Sequence, residues 1–502
     1  MKSRQAIRAI VGVLLCAMGL WLALPAPDQE RTYIFQAEGC RLETTIFEKP
    51  GAAIQGSVVL FHGISANKKI MNYMARGFAE QGLRVFVPDL PGHGRTPGPF
   101  SPARAEQCGE ALVRELLTRG LMSPERTILA GHSMGGAIAE RIAARVAVGG
   151  LIALSPAPMR AAHGVTEEKL LYSNPPELPP HALVMVGSLE LESMRLNAGD
   201  LISGQNRETS KFLQIPGVSH VSILFSDGAM HAAQEWVAKI LQVPLTGGLP
   251  SHRGLVGALG GFVGILLIAG PFLRELAGKK SNEETGENQV GVREPRLMME
   301  FATGSIAIVL LLRFLPPLRV IRLFQGNYLA SFLLLFGGLL IVAHWTASRS
   351  ALTNSARHLL AAAFAGVVLL FLATAWFDLT FYEAWLTAAR WARFPLLVAA
   401  LLPYHFAEEA LLGSVGGGKR WRRFELALAL RFISWGALMG GVLVLHNGEI
   451  LLGLLALYMG MFNLVQRSGM DIVRNETGSA TAAAVFGAIL LAGFCLVIFP
   501  LT

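Results

Sequence analysis

The sequence predicts two regions of different class: an α/β region built on a doubly wound, mostly parallel sheet, followed by an all-α polytopic membrane region. Three observations carry this. Strand-like and helix-like segments alternate from residue 30 to 245. Charged residues make up only 16% of the 502, against about 25% in a soluble chain. Beyond Gly254 those charges gather in short clusters between apolar runs.

The α/β elements follow in order. Gly56–Phe61 (GSVVLF) is a short β-branched run, Lys68–Gln81 has helical spacing, and Leu83–Val87 is again strand-like. Pro102–Arg119 is a helix that Ser101 caps. Thr127–Ala130 is a strand entering a tight glycine turn, and Gly136–Val146 reads as the next helix. Leu151–Leu154, Ala182–Val186 and Phe212–Ile215 are three further strands, and Asp227–Leu241 is the closing helix.

The rest of the chain is organised by the bilayer. Lys2, Arg4 and Arg8 precede an apolar run from Ala9 to Leu24. Such a segment is a secretory signal or an uncleaved anchor. Pro25 spoils the small-residue pattern at Ala23-Leu24-Pro25-Ala26, so retention as an anchor is expected. Eight spans are predicted near 254–273, 298–317, 328–346, 358–376, 395–413, 425–445, 449–466 and 480–500. Each approaches the ~20 residues that cross a hydrocarbon core. The spans at 298 and 425 carry Arg313 and Arg431, which blurs their edges. The expected organisation is a signal segment over 1–28, the α/β domain over 30–245, a linker over 246–253 and the membrane domain over 254–502.

Basic loop residues set the orientation. With a cytoplasmic N-terminus, the loops predicted inside carry Arg274, Lys279, Lys280, Arg293 and Arg296, then Arg349 and Arg357, then Lys419, Arg420, Arg422 and Arg423, then Arg467 and Arg474. The loops predicted outside carry Arg319, Arg322, Arg390 and Arg393. That bias of thirteen to four places the α/β domain outside the cell inner membrane. Nine crossings then leave the C-terminus outside too. The net charge of +8 is explained by this topology, and no basic stripe interleaved with aromatics points to nucleic acid. Of the four cysteines, Cys16 and Cys495 lie in apolar runs. Cys40 and Cys108 are expected as buried free thiols, with a disulfide as the alternative in an oxidising compartment. No spacing suggests zinc, and no cofactor motif is present.

The chemistry centres on Gly131-His132-Ser133-Met134-Gly135-Gly136, a G-x-S-x-G pattern between a strand and a helix. A sharp turn there pushes the serine oxygen out at the sheet edge, and the helix N-terminus favours negative charge beside it. At this point residues 30–245 resemble the α/β-hydrolase family, most nearly its monoacylglycerol-lipase and serine-aminopeptidase-like branch. His62-Gly63 after GSVVLF resembles the family's oxyanion loop, Asp89-Leu90-Pro91-Gly92-His93-Gly94 its D-x-x-G-H-G loop, and Gly217-Val218-Ser219-His220 the segment bearing its histidine.

The resemblance implies Ser133 as nucleophile and His220 as base. The acid follows a strand between them, so Glu190 is expected, with Glu192 and Asp200 as competitors. The resemblance also implies oxyanion donors at the backbone N–H groups of Met134 and Ile64. His62 is expected to brace the oxyanion loop, while His93, His132 and His231 have structural readings. The lid segment is only Pro156–Pro180, Pro-rich with one short helix possible at Thr166–Tyr172. That leaves an open site suited to an ester presented at a membrane surface. The expected partners are an ester or lipid-like substrate and membrane lipids, with peptide or thioester cleavage, or a non-catalytic sensor, as alternatives.

One polar group remains. His405, Glu408 and Glu409 fall within a predicted span and share a helical face. Either the span ends near Tyr404 and the carboxylates sit at the interface, or they form a second site such as a proton relay, a metal pair or an intramembrane hydrolase centre.

Overall fold

The computed structural model describes residues 2–24, 30–203, 208–245, 248–277, 293–352, 356–414, 420–445 and 450–502. Pro25, Ala26, Lys279, Lys280, Lys419 and residues 246–247 of the expected linker lie outside the described residues. The chain separates into two compact units.

One unit spans Leu22–Gly257 and adds two short pieces, Phe377–Ala384 and Pro500–Thr502. Its strands are β1 (Glu30–Ala37), β2 (Cys40–Phe47), β3 (Gly56–Phe61), β4 (Leu83–Pro88), β5 (Thr127–His132), β6 (Gly150–Leu154), β7 (Ala182–Gly187) and β8 (Lys211–Ile215). They form one sheet in the order β1-β2-β4-β3-β5-β6-β7-β8. The pairs β1–β2 and β2–β4 are antiparallel, and every pair from β4 to β8 is parallel. Every residue of β3, β5, β6 and β7 is buried. Strands covered on both faces read as continuous apolar runs, which is why the sequence reveals them.

The helices of this unit, counted after α1 (Lys2–Ala23), are α2 (Asn72–Glu80), α3 (Pro102–Thr118), α4 (Met134–Ala143), α5 (Glu192–Asp200) and α6 (Asp227–Leu241). Ser101 caps α3 by accepting from the Arg104 N–H at 3.2 Å. The main core packs β3, β4, β5, β6 and β7 against α2 and α6 through Phe78, Met230, Trp236 and Leu241.

Three readings change in this unit. The hairpin β1–β2 and the helix α5 have no predicted counterpart. β1 buries only Phe35, so its side chains carry no strong alternation. Cys40 and Cys108, expected as free thiols, form a disulfide with Cα atoms 5.5 Å apart. The bridge ties the start of β2 to α3, a contact invisible until the hairpin is known. Between β6 and β7, the possible helix at Thr166–Tyr172 is a single tight turn at Glu167–Lys169.

The second unit is helical: Met1–Trp21, Ala258–Trp376 and Trp385–Phe499. Its helices after α1 are α7 (Arg253–Ala277), α8 (Glu294–Leu312), α9 (Gly326–Ala343), α10 (Trp345–Ala351), α11 (Ala356–Thr380), α12 (Ala388–Trp391), α13 (Phe394–Ser414), α14 (Arg420–Val444), α15 (Ile450–Leu454), α16 (Ala456–Thr477) and α17 (Ala480–Ile498). Among the described residues eight helices are long and apolar enough to cross a membrane: α1, α7, α8, α9, α11, α13, α14 and α17. The run predicted at 449–466 divides at Leu455, and α16 continues to Thr477 with buried Gln466, Arg467, Asp471 and Arg474, so Arg467 and Arg474, expected in an inside loop, lie on a helix and leave the bias at eleven to four. Arg313 stands just past the end of α8. α1 packs tightly on α7: a Cβ at Gly12 would lie 2.7 Å from the Gly264 carbonyl oxygen, and the Cys16 thiol donates to Gly261 O. Small residues at such a crossing let helix backbones approach closely.

Candidate active site

Ser133 joins β5 to α4 with φ 54° and ψ −119°. A non-glycine residue in that region is strained and persists only where its surroundings hold it. Here the Ser133 N–H donates to Leu154 O at 2.9 Å, and its carbonyl accepts from the N–H groups of Ala157 and Ala137 at 3.0 and 3.2 Å. The flanking glycines are steric necessities: a Cβ at Gly131 would meet Gly135 O at 2.1 Å, and one at Gly135 would meet Phe61 O at 2.3 Å.

The turn after β8 delivers His220 to this serine. His220 Nε2 lies 3.0 Å from Ser133 Oγ, and His220 Nδ1 lies 3.0 Å from Glu190 Oε2. An ionised carboxylate only accepts, so the Nδ1 proton faces Glu190 and Nε2 is left to accept from the serine hydroxyl. Glu190 Oε1 accepts from the Ser155 hydroxyl at 2.5 Å and from the Gly187 N–H at 2.7 Å. Burial alone would raise this carboxyl. The bonds from His220, Ser155 and Gly187 outweigh burial and hold it below its ordinary value. His132, next to the serine, donates from Nε2 to the His220 carbonyl at 2.7 Å. Its burial, and then the nearby His220, push His132 down to about 3, so it is a neutral prop.

The other predicted residues fall as follows. Met134 opens α4, so its N–H has no acceptor within the helix. Ile64 follows Gly63, whose bare Cα sits so close to the turn that a Cβ there would be 3.1 Å from Ser133 Cβ. His62 donates from Nδ1 to Gly63 O at 2.8 Å and accepts from the Leu90 N–H at 3.0 Å, tying the two loops together. Burial lowers His62 to about 4. Glu192 is exposed in the first turn of α5, and Asp200 is exposed and pairs with His163 at 2.9 Å. Of the three carboxylates weighed, Glu190 is the one at the imidazole.

Residues 58–208 match the model of the alpha/beta hydrolase family. This part of the chain is an alpha/beta hydrolase domain. An AB hydrolase superfamily protein, YisY, of Bacillus subtilis (strain 168) is 34% identical over 88 residues, 18% of this chain and 32% of that protein. The chain thus spans about a third of the length of the curated relatives it matches. Among solved structures, an alpha-beta serine hydrolase homologue from Coxiella burnetii is 18% identical with a TM-score of 0.33, covering 43% of this chain and 99% of that one. A soluble variant of monoglyceride lipase from Saccharomyces cerevisiae is 14% identical with a TM-score of 0.34, covering 43% and 98%.

Two partners of the hydrolase site escape sequence reasoning. Ser155 belongs to no motif, and His132 sits inside the G-x-S-x-G motif with nothing to show its partner; they act through a carboxylate and a carbonyl that only the folded chain brings near. Beside the site, the segment after β6 and the end of α5 enclose a cavity of ≈ 180 Å³ lined by Pro156, Met159, Leu178, Asn197 and neighbours.

The polar group of the helical unit is buried and paired. α13 is continuous through His405, Glu408 and Glu409, which are at most 1% exposed. Glu408 accepts two bonds from Arg431 at 2.7 Å each, Arg467 pairs with Glu409 and Asp471, and Gln466 donates to His405 Nε2 at 3.2 Å. Arg431, which blurred a span edge in the sequence, is thereby matched to a carboxylate on a neighbouring helix. Among the described residues no group of three or more His, Cys, Asp or Glu is set to hold a metal.

Proposed function

We propose that this protein is a membrane-anchored serine hydrolase that cleaves carboxylic esters, of a lipid-like kind, through an acyl-enzyme. The observation that carries this reading is the unbroken chain Ser133–His220–Glu190, with both contacts at 3.0 Å. In the first step His220 Nε2 takes the Ser133 proton as Oγ attacks the ester carbonyl. The Met134 and Ile64 N–H groups receive the oxyanion, each such donor being worth roughly 3 kcal/mol. Glu190 holds the imidazole and offsets its positive charge. The imidazolium then returns its proton to the departing alcohol, leaving acyl-Ser133. Water, deprotonated by the same nitrogen, releases the acid and restores the serine.

Placement outside the cytoplasmic side of an inner membrane draws on three observations. The hydrolase unit collects residues 22–257, 377–384 and 500–502, the segments that the basic-residue bias puts on one side. Nine crossings, with α16 added to the eight apolar helices, would return residues 500–502 to the side of residues 22–257, in keeping with their place in that unit. The Cys40–Cys108 disulfide suits an oxidising compartment. The close packing of α1 on α7 supports its retention as an anchor. The test is a fluorophosphonate probe on membranes holding the full chain, followed by a panel of esters of rising acyl length. Labelling together with ester turnover is the expected result. Absence of both would favour a hydrolase-like domain that only binds.

A further inference from the structure

Two pieces of chain from the far end of the sequence close on the loops that flank Ser133. The piece Phe377–Ala384, the last turn of α11 and the chain just after it, belongs to the hydrolase unit, as does Pro500–Thr502. The Tyr382 hydroxyl donates to the Ser65 carbonyl at 2.8 Å. Ser65 is 8% exposed, has φ 55°, and directly follows the oxyanion residue Ile64. Phe381 lies against Phe225, with ring centroids 5.7 Å apart.

Next to Tyr382, Glu383 reaches an inner charge cluster. Lys68 is 4% exposed, and its ammonium donates to Glu383 at 2.5 Å, Asp89 at 2.6 Å and Glu43 at 3.1 Å. The Lys68 backbone N–H also donates to Asp89 at 2.8 Å. Burial would lower the ammonium, but Asp89 and Glu383 hold it above its ordinary value. Burial, then the adjacent Asp89 carboxylate, raise Glu383 to about 7, against the opposing pull of Lys68. Gly94 leaves room for this: a Cβ there would lie 2.3 Å from Glu383 Oε2. Arg95 pairs with Asp378 at 2.7 Å, and Lys69 donates to the Asp378 carbonyl. At the C-terminus, Leu501 N donates to Gly92 O at 3.2 Å, and Phe100 N donates to Leu501 O at 2.5 Å.

Apart from the Phe381–Phe225 ring contact, these pieces meet two short stretches, 65–69 and 89–100. The His62 bridge to Leu90 already ties those stretches to each other beside the serine. We infer that Tyr382 is a positioning residue for the oxyanion loop, and that the seated 377–384 segment sets the Ile64 N–H for catalysis. The inference rests on the serine-hydrolase reading. It means that the first 257 residues alone form an underpowered enzyme, and that the second half of the chain takes part in turnover beyond anchoring it.

A seated loop of this kind acts on the transition state more than on substrate binding, because the donor it places meets charge only as the oxyanion forms. The test uses the full chain in lipid nanodiscs and compares Tyr382→Phe and Glu383→Gln with the unmodified protein. For p-nitrophenyl butyrate, Tyr382→Phe is expected to lower kcat by about 10- to 100-fold with KM held within about twofold. Glu383→Gln, which keeps a neutral polar side chain, is expected to retain more activity than Glu383→Ala. Amide hydrogen exchange of residues 62–70 should quicken in Tyr382→Phe while that of 127–137 stays as before. A Tyr382→Phe enzyme with unchanged kcat, or with unchanged exchange over 62–70, overturns the inference. If the unmodified chain neither turns over esters nor takes the fluorophosphonate probe, the hydrolase reading has failed. The exchange of 62–70 then decides the seating of the loop by itself.

Discussion

Ser155 donates its hydroxyl to Glu190 Oε1 at 2.5 Å, while the other oxygen of that carboxylate faces His220 Nδ1 at 3.0 Å. Ser155, just past the end of β6, therefore fixes the rotation of the Glu190 carboxylate and favours its ionised form. Ser155→Ala is expected to lower kcat by about tenfold, since one bond of a buried network is lost and not the network itself. The folded Glu190 sits below its unfolded value of 4.5, so its contribution to stability is in full above that value and is lost as pH falls through the folded one. Removing Ser155 raises the folded value. The pH at which that stability is lost, read from melting temperatures across the acid range, should thus move upward, and a loss that stays in place would contradict the role given to Ser155.

Glu190→Gln and Glu192→Gln separate two carboxylates that sit two residues apart. Glu190 meets the imidazole, and Glu192 is exposed in the first turn of α5. The first variant should lose activity by about 10³-fold or more, because the imidazole loses both its orientation and its counter-charge. The second should stay within about threefold of the unmodified enzyme. Side-by-side rates on one ester decide the matter, and the reverse ranking would move the acid.

Glu140 on α4 is fully buried, and neither carboxylate oxygen has a hydrogen-bond partner. Burial raises it from 4.5 to about 8. The folded chain therefore binds a proton that the unfolded chain releases above 4.5, and stability falls as pH rises from there through about 8. Glu140→Gln should flatten that decline. Melting temperatures at pH 6 and pH 9, on the order of the range where the group titrates, check this. A variant that keeps the full alkaline loss would place its cause elsewhere.

Cys40 and Cys108 close a loop with a sequence separation of 68. A link of that span stabilises by roughly 4 kcal/mol through the unfolded chain. The double variant Cys40→Ser/Cys108→Ser should melt well below the parent, and in cells the two thiols should resist maleimide until a reductant is added. Ready alkylation without reductant would contradict the extracytoplasmic placement.

The central parallel strands were legible because each is an apolar run buried on both faces, as in β3 and β5. Ser133, His220 and Glu190 could be proposed because each follows a strand at a recognisable turn. What stayed hidden depends on pairing across sequence. The β1–β2 hairpin has an exposed outer strand with little pattern, and the disulfide needs that hairpin to bring Cys40 to α3. Ser155, His132 and Tyr382 touch their partners only after 35, 88 and 317 residues of separation. Nothing local marks their partners. Arg431 looked out of place in a span until Glu408 appeared opposite it.

The central claim is that Ser133 is the nucleophile of an ester hydrolase, and the most direct measurement compares the full chain with its Ser133→Ala variant in the same membranes. The parent should take one fluorophosphonate per chain and turn over a simple ester. The variant should insert normally, take no probe, and lose turnover by about 10⁴-fold or more. Undiminished ester turnover by Ser133→Ala, or probe attached to the variant at another residue, would contradict it.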